Sequence, residues 1–350
     1  MPGHTFRAVL LSLLLSSLAI NLYASDDSFA EKKKQFEALF ETIPTQSFEG
    51  VPFKGEPIDL DYKAFVNPSS KGNVVIVHGF TEHFYKYQEL VYDIYNRGYS
   101  VYTYNQRGHG SSRLIDEPAV YVDNFEHYVD DLYRLTQNVL ATKGQPLVLL
   151  GHSMGGAVVA RFMERYPNVA EGAILSSPMI RMNTGTFPAW LAEGIASIGV
   201  ALGFETSLAP GQSLPAVKPW SFAEAGTSSE KRYKQQVGVI YRPDLDSWRR
   251  GGATVGFVHE AMVATQKITE AQELQKINKP ILLFQAGIDN WVKNEPQNEF
   301  CSLIDRCELQ VFSKSQHAIY NQVDDIREPY LDKIFKFLES MTQRPVIGVK

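Results

Sequence analysis

Short apolar runs alternate with amphipathic segments along most of this chain. Four runs predict strands buried inside a sheet, at residues 73–78, 100–105, 146–150 and 172–177. Between the first two runs, residues 87–97 carry apolar side chains at helical spacing and stop at Gly98, which is typical of a helix C-terminus. A further helix is predicted after Asp123 and Glu126, which together resemble a capping box. Upstream, residues 25–45 resemble a charged helix, and residues 57–66 alternate as in a half-buried strand.

The alternation of strands and helices predicts right-handed βαβ units, and therefore an α/β domain with a mostly parallel central sheet and helices on both faces. It stops at Pro178 and resumes with predicted strands at 280–286 and 308–312 and a closing helix at 325–341. We therefore expect a core formed by residues 25–177 and 270–350. An inserted, mainly helical cap (lid) is expected over 178–269.

Composition excludes some classes of protein. The 44% hydrophobic content indicates a globular chain with a large core. The net charge of −5 and the scattered Lys and Arg residues provide no basic stripe for phosphates, so no nucleic-acid partner is expected.

The first 24 residues have the pattern of an export signal. Arg7 precedes an apolar run that ends near Ala24 and Ser25, as in a cleavable signal peptide. The alternative is an uncleaved N-terminal membrane anchor, for which the run is short. We expect an exported protein, periplasmic or secreted, with membrane association left open.

Cys301 and Cys307 are the two cysteines of the chain. In an exported protein they are compatible with one disulfide closing a short loop, and the alternative is two partly buried thiols. Two cysteines without a paired histidine make a poor zinc site, and no metal or other cofactor is expected.

The segment Gly151-His152-Ser153-Met154-Gly155 matches G-x-S-x-G, follows a predicted buried strand and opens a helix. This strand–turn–helix setting is that of a nucleophile elbow, which exposes the serine hydroxyl above the sheet. Ser153 is therefore the candidate nucleophile. The alternative is a structural turn at a strand end.

A serine nucleophile needs a base and a group that orients the base. Asp289 and His317 follow the predicted strands 280–286 and 308–312, at the same sheet edge as Ser153 and in the expected order of nucleophile, acid and base. Three other acids compete for the role of Asp289 but lie in or beside predicted helices, namely Asp305, Asp324 and Asp325.

An oxyanion formed during attack needs two preorganised donors. By position, these are the backbone N–H groups of Met154 and Phe80. Other histidines at this edge are interpreted as structural, although His83 or His109 could instead touch the substrate.

Five segments together resemble the motif blocks of bacterial lysophospholipases and monoacylglycerol lipases of the α/β-hydrolase fold: HGFTEHFYKYQEL, NQRGHGSS, GHSMGG, AGIDNWV and SQHAIYNQ. Parts of the cap also resemble that family, at residues 230–234 and 248–262. The resemblance covers about residues 57–341 and implies the catalytic roles of Ser153, Asp289 and His317. The sequence departs from the family pattern at Asn105, where the family usually has an aspartate.

The resemblance implies hydrolysis of a single-chain lipid, a lysophospholipid or a monoacylglycerol, through an acyl-enzyme and without a cofactor. An apolar cap stretch at residues 187–202 either packs on the core or contacts acyl chains or a membrane. Two other functions stay open: a carboxylesterase, thioesterase or peptidase on the same triad, and a non-catalytic binding module.

Overall fold

The computed structural model describes residues 28–140, 144–185 and 188–342. The predicted signal peptide, residues 1–24, lies outside this part of the chain. The chain divides into two compact units, residues 1–43 and 44–350. Within the first unit, residues 28–42 form helix α1.

The second unit is built on one eight-stranded sheet in the order β1-β2-β4-β3-β5-β6-β7-β8. The pairings β1–β2 and β2–β4 are antiparallel, and all the others are parallel, which confirms the mostly parallel sheet. Every residue of β3, β4, β5 and β6 is buried, so both faces of the central sheet are covered. The strands are β1 Gln46–Glu49, β2 Asp59–Phe65, β3 Asn73–Val77, β4 Ser100–Tyr104, β5 Leu147–His152, β6 Gly172–Ser176, β7 Ile281–Ile288 and β8 Cys307–Gln316.

The helices of this unit mostly fall between consecutive strands, as the alternation predicts. They are α2 Gln88–Asn96, α3 Glu126–Asn138, α4 Met154–Arg165, α5 Ala189–Ala201, α6 Glu230–Ile240, α7 Val255–Lys267, α8 Ala271–Leu274, α9 Asn294–Ser302 and α10 Asp324–Thr342. Helices α5 to α8 lie between β6 and β7. The cap boundaries at 178 and 269 stay a prediction. In the described part of the chain, no helix is long and apolar enough to cross a membrane.

One local expectation was wrong, and one strand was not predicted. The capping box of Asp123 and Glu126 does not form: α3 begins at Glu126 itself, and the Glu126 N–H donates instead to Asn124 Oδ1 at 2.9 Å. The Asp123 carboxylate is occupied by His127 Nδ1 at 3.1 Å. Strand β1 was also missed, because only one of its four residues is buried and it carries no alternating apolar pattern.

A disulfide joins Cys301, in α9, to Cys307, the first residue of β8. The bridge fixes the short connection between this helix and the strand that leads to His317. Of the two interpretations of the cysteines, the disulfide is therefore confirmed.

Candidate active site

Ser153 occupies a strained turn between β5 and α4. Its φ of 54° and ψ of −119° lie outside the regions that a residue with a side chain normally adopts. The surrounding backbone holds this conformation: the Ser153 N–H donates to Ser176 O at 3.0 Å, and the Ser153 carbonyl accepts from Gly156 N and Met179 N, each at 2.9 Å. The strain is maintained by hydrogen bonds to two segments, α4 and the end of β6 with the loop after it.

The glycines of the motif are required by close backbone approach. A Cβ atom on Gly151 would lie 2.4 Å from Gly155 O, and one on Gly155 would lie 2.2 Å from Val77 O. Both distances are far shorter than any tolerated contact. The elbow therefore needs the glycines because α4 starts directly against β3 and β5, and this supports the nucleophile-elbow interpretation of the sequence motif.

Asp289 and His317 meet at the carboxyl ends of β7 and β8. His317 Nδ1 lies 2.6 Å from Asp289 Oδ2, and both side chains are almost completely buried. The other carboxylate oxygen, Oδ1, accepts from Trp291 N at 2.9 Å and from Val292 N at 3.1 Å. The Asp289 carboxylate is thus fixed by three donors. The structure brings together the acid and the base expected from the sequence; the catalytic roles of these residues stay predictions.

The environment of Asp289 keeps it ionised. Burial pushes the pKa of its carboxyl group upward, but the hydrogen bond and charge of His317, with the two backbone N–H groups, bring the pKa below its ordinary value. An ionised carboxylate only accepts hydrogen bonds, so His317 must donate through Nδ1–H. In the neutral imidazole, Nε2 then carries the lone pair that a general base needs.

Ser177, the residue after β6, also supports the base. Its φ of 45° is unusual for a residue other than glycine, and its hydroxyl donates to the carbonyl of His317 at 2.8 Å. On the exposed side, the Trp291 ring lies 4.9 Å from the imidazole of His317 between ring centres. His317 is therefore held from several sides.

The expected oxyanion donors lie on either side of Ser153. Met154 is the first residue of α4, and the first N–H groups of a helix have no partner within it. Phe80 follows Gly79, where an added Cβ would lie only 3.1 Å from Ser153 Cβ, so the loop after β3 passes directly beside the nucleophile. This arrangement is compatible with the two predicted N–H donors, whose role stays a prediction.

A buried acidic cluster behind this loop was not found from the sequence. Glu82 Oε2 accepts from Gly79 N at 2.7 Å and from the Tyr87 hydroxyl at 2.5 Å, and the carboxylate also binds Lys86. Tyr87 in turn contacts His152 Nδ1 at 3.1 Å. The ring of His152 lies 4.8 Å from that of His317. Glu82 thus links the loop of the predicted oxyanion donor to a histidine packed against the predicted base.

The surroundings of Glu82 favour its ionised form. Burial pushes the pKa of Glu82 upward, but Lys86 and His152 hold it well below its ordinary value. Burial lowers the pKa of His152, which favours its neutral form. An ionised Glu82 can accept from all of its donors at once. No sequence signal identifies this role, because a Glu–Lys pair four residues apart is normally a solvated surface pair.

Two of the competing histidines are buried, and one competing aspartate is ion-paired. His83 and His109 are buried; burial lowers the pKa of His83 to about 3 and lowers that of His109 well below its ordinary value. Asp324 pairs with Lys231 and Arg232 at 2.8 and 2.7 Å, respectively. These contacts are those of packing and ion pairing.

Asn105, which departs from the family pattern, connects two loops. Its Oδ1 accepts from Phe84 N at 3.1 Å and its Nδ2 donates to Ser111 Oγ at 3.0 Å. An amide can make both contacts because it has a donor and an acceptor. Among the described residues, no group of three or more His, Cys, Asp or Glu side chains is arranged to hold a metal ion.

Comparison with known proteins agrees with this geometry. The profile of the family described as "Serine aminopeptidase, S33" matches residues 68–324. The probable lysophospholipase L2 of Haemophilus influenzae is 28% identical over 304 residues, covering 86% of this chain and 93% of that protein. Lysophospholipase L2 of Escherichia coli is 30% identical over 279 residues, covering 75% and 79%.

Among solved structures, a soluble variant of monoglyceride lipase from Saccharomyces cerevisiae matches with a TM-score of 0.67 and 20% identity, covering 87% of this chain and 96% of that chain. This likeness supports the α/β-hydrolase fold. Because the family profile spans most of the chain and the relatives align over most of their own length, the chain belongs to the serine aminopeptidase S33 family of α/β-hydrolases.

Proposed function

We propose that this protein is a serine esterase that releases the fatty acid from a lysophospholipid or a monoacylglycerol. The observation that carries the chemistry is the 2.6 Å contact between His317 Nδ1 and Asp289 Oδ2, at the sheet edge where the strained elbow presents Ser153. An oriented imidazole at such an elbow is what serine ester hydrolysis requires.

In the acylation half-reaction, Ser153 Oγ attacks the acyl carbonyl carbon while His317 Nε2 takes the hydroxyl proton. The carbonyl oxygen becomes an oxyanion that accepts from the N–H groups of Phe80 and Met154. His317 then gives its proton to the oxygen of the departing alcohol, and the fatty acyl chain stays bound to Ser153 as an ester. Asp289 stabilises the imidazolium that exists between these two transfers.

In the deacylation half-reaction, water takes the place of the alcohol. His317 removes one proton from it, and the resulting hydroxide attacks the acyl-enzyme at the same carbon. Collapse of the second oxyanion intermediate returns the proton to Ser153 and releases the fatty acid. One base and one oxyanion site therefore serve both halves, and the chemistry needs no other reactant than water.

The names of the relatives and the surface of the cap support a lipid substrate. The relatives above are named as lysophospholipases and a monoglyceride lipase. Of the 13 residues of α5, only Ala196 is buried, although Glu193 is its single charged residue. Eight of the fourteen exposed large apolar side chains in the described ranges lie between residues 178 and 269. A surface of this kind is typical of a site that meets apolar ligands or lipid.

The test compares wild type with Ser153→Ala for fatty acid release from lysophosphatidylcholine, a monoacylglycerol and p-nitrophenyl butyrate. Ser302→Ala is the matched control, because Ser302 is an exposed serine at the end of α9. We expect Ser153→Ala alone to lose activity, by a factor on the order of 10⁴ or more. Retained activity in Ser153→Ala would refute the mechanism. If only the butyrate ester were cleaved, the mechanism at Ser153 would stand, but the lipid substrate would be rejected and the protein would be a carboxylesterase.

We further propose that the protein is exported and touches the membrane surface through α5. Export is supported by the predicted signal peptide at residues 1–24 and by the disulfide between Cys301 and Cys307, since such bridges persist in oxidising compartments. Membrane contact is supported by the exposed apolar side chains of Trp190, Ile198 and Leu202.

A further inference from the structure

The loop that carries His317 is bracketed by one buried side-chain amide, that of Gln322. Gln322 is fully buried. Its Nε2 atom donates to Ala318 O at 2.9 Å, and its Oε1 atom accepts from Gln316 N at 3.4 Å. The amide therefore binds the residue before His317 and the residue after it. Rotation or displacement of the loop would break both hydrogen bonds at once.

The same amide also binds the cap. Its Nε2 atom donates to Gly226 O at 3.0 Å, and its Oε1 atom accepts from Ser228 N at 3.1 Å. The carbonyl of Gly226 accepts in addition from the N–H of Ala318 at 3.2 Å. Gln322 thus uses its full hydrogen-bonding capacity to join the His317 loop to one short cap segment. We call residues 226–232 the cap strap.

The cap strap packs directly against the predicted base. Gly226 has a φ of +64°, and a Cβ atom there would lie 2.8 Å from the Trp291 ring and 3.7 Å from His317 Cβ. Thr227 Oγ1 donates to the carbonyl of Asn321, the residue before Gln322. The cap strap therefore runs alongside the His317 loop, from His317 to Gln322, on the side of the loop that faces the cap.

Arg232 anchors the far end of the cap strap to the core. Its guanidinium donates to both carboxylate oxygens of Glu89 in α2, at 2.8 and 2.9 Å, and to the carbonyl of Gln322 at 2.8 Å. It also lies 2.7 Å from Asp324 at the start of α10. Arg232 is 2% exposed, and a bidentate pair held in such surroundings is geometrically restrictive. The strap cannot lift away without exposing or breaking this group of ion pairs.

We propose that Gln322 is a positioning residue for His317, and that the cap strap is a fixed part of the catalytic scaffold and not of a movable lid. This inference rests on the roles proposed above for Ser153 and His317. Gln322 touches no reacting atom. It sets the distance and angle of the His317 imidazole relative to Ser153, and a small misplacement of a base is costly to the rate.

The test is Gln322→Met, which keeps the length of the side chain and removes all four hydrogen bonds of the amide. The matched control is Gln285→Met: Gln285 is also buried, and its amide donates to Asn294 O at 3.1 Å and to Asn298 Oδ1 at 2.8 Å, away from the His317 loop. For each variant we would measure kcat, KM, the melting temperature and the rate at which a fluorophosphonate probe labels Ser153.

For Gln322→Met we expect kcat and the labelling rate to fall together by a factor on the order of 10 to 100, with KM changed by less than about threefold. Gln285→Met should lower the melting temperature but leave kcat and labelling unchanged. Labelling of folded Gln322→Met at the wild-type rate would overturn the inference. Because the probe does not depend on a lipid substrate, that result would leave the proposed function standing, whereas unlabelled wild type would reject the function itself.

A milder variant covers the case in which Gln322→Met does not fold. Thr227→Val preserves the shape of the side chain and removes the hydroxyl, which donates to Asn321 O and accepts from Ser229 N at 3.1 Å. We expect its labelling rate to fall by roughly threefold to tenfold, with KM again nearly unchanged. A folded Thr227→Val that labels as fast as wild type would refute the positioning role of the strap.

Discussion

Membrane contact through α5 can be tested with a matched control, because a leucine of similar exposure lies elsewhere on the molecule. Leu202, directly after α5, is 67% exposed, and Leu303, between α9 and β8, is 61% exposed. The two leucines match in type and in exposure but lie in the predicted cap and in the predicted core, respectively. Changing each to asparagine removes a similar apolar surface from two different places.

The expected effect follows from the exposed area. Full burial of a leucine side chain contributes about 2 kcal/mol, so burying the exposed two-thirds of Leu202 in lipid contributes about 1.3 kcal/mol. That free energy corresponds to about a tenfold change in a binding constant. Ile198 lies one helical turn earlier and is 63% exposed, so its replacement should have a similar effect. The Ile198→Asn/Leu202→Asn double variant should bind vesicles about a hundredfold more weakly, if the two contributions add.

The assay is co-sedimentation with vesicles of diether phosphatidylcholine and phosphatidylglycerol, which contain no ester for the enzyme to cleave. Each variant is compared with wild type over a range of lipid concentrations. Activity on p-nitrophenyl butyrate, a soluble substrate, serves as a check that the active site is intact. We expect Leu202→Asn to bind vesicles about tenfold more weakly and to keep this activity, and Leu303→Asn to keep both.

Two results would refute the proposal. If wild type does not bind vesicles, the exposed surface of α5 is not a membrane contact. If Leu202→Asn and Leu303→Asn weaken binding equally, the protein binds lipid without using the cap. In either case the hydrolytic mechanism at Ser153 would be unaffected, because it depends on other residues.

Three further predictions concern the scaffold. Replacing Cys301 and Cys307 by serine should cost roughly 2 kcal/mol of stability and a few degrees of melting temperature, because the unfolded chain then lacks a closed short loop. If a reductant changed the melting temperature of wild type and variant equally, this prediction would be contradicted. Glu82→Ala should destabilise the fold by about 3–5 kcal/mol and lower kcat, because buried donors lose their acceptor. Thermal unfolding and ester hydrolysis measure the two effects. An unchanged kcat would show that the Glu82 cluster does not hold the loop of the predicted oxyanion donor. Burial raises the pKa of Glu164 to about 7, so the folded state binds more protons than the unfolded state between about pH 4.5 and pH 7. As the pH rises through that interval, wild type should lose up to about 3 kcal/mol of stability, whereas Glu164→Gln should not. Parallel curves of melting temperature against pH for the two proteins would refute this.

The sequence was informative wherever a residue's position along the chain determines its place in the fold. Ser153, Asp289 and His317 each follow a strand of a parallel sheet, so their order along the chain brings them to one edge. The elbow was predictable because glycines at both ends of a short motif between a strand and a helix are typical of a turn with close backbone approach. Strand boundaries were predicted less well: β8 extends to Gln316, four residues past the predicted end, because its last four residues are all polar.

The residues that hold the site in place could not be predicted in this way. Glu82 acts through buried contacts with near neighbours in the loop after β3, and Gln322 acts partly through contacts with the distant residues 226–228. In neither case does the type of residue reveal its partners. A glutamate four residues before a lysine resembles a surface pair, and a glutamine near a helix start resembles a solvated side chain. Only their burial, together with the hydrogen bonds that burial requires, shows otherwise.

The predicted cap combines two helices attached by opposite chemistry, and this difference bears on how a lipid enters. In α6 the buried residues include Arg232 and two glutamines, so its attachment is directional and depends on hydrogen bonds. In α5 only Ala196 is buried, the helix packs on α7 through small side chains, and its charged residue Glu193 accepts from Gln266 of α7. Apolar packing of this limited extent costs less to open than a buried group of ion pairs. Access for an acyl chain is therefore best sought at the α5 side, where opening leaves Gln322 and the predicted base undisturbed.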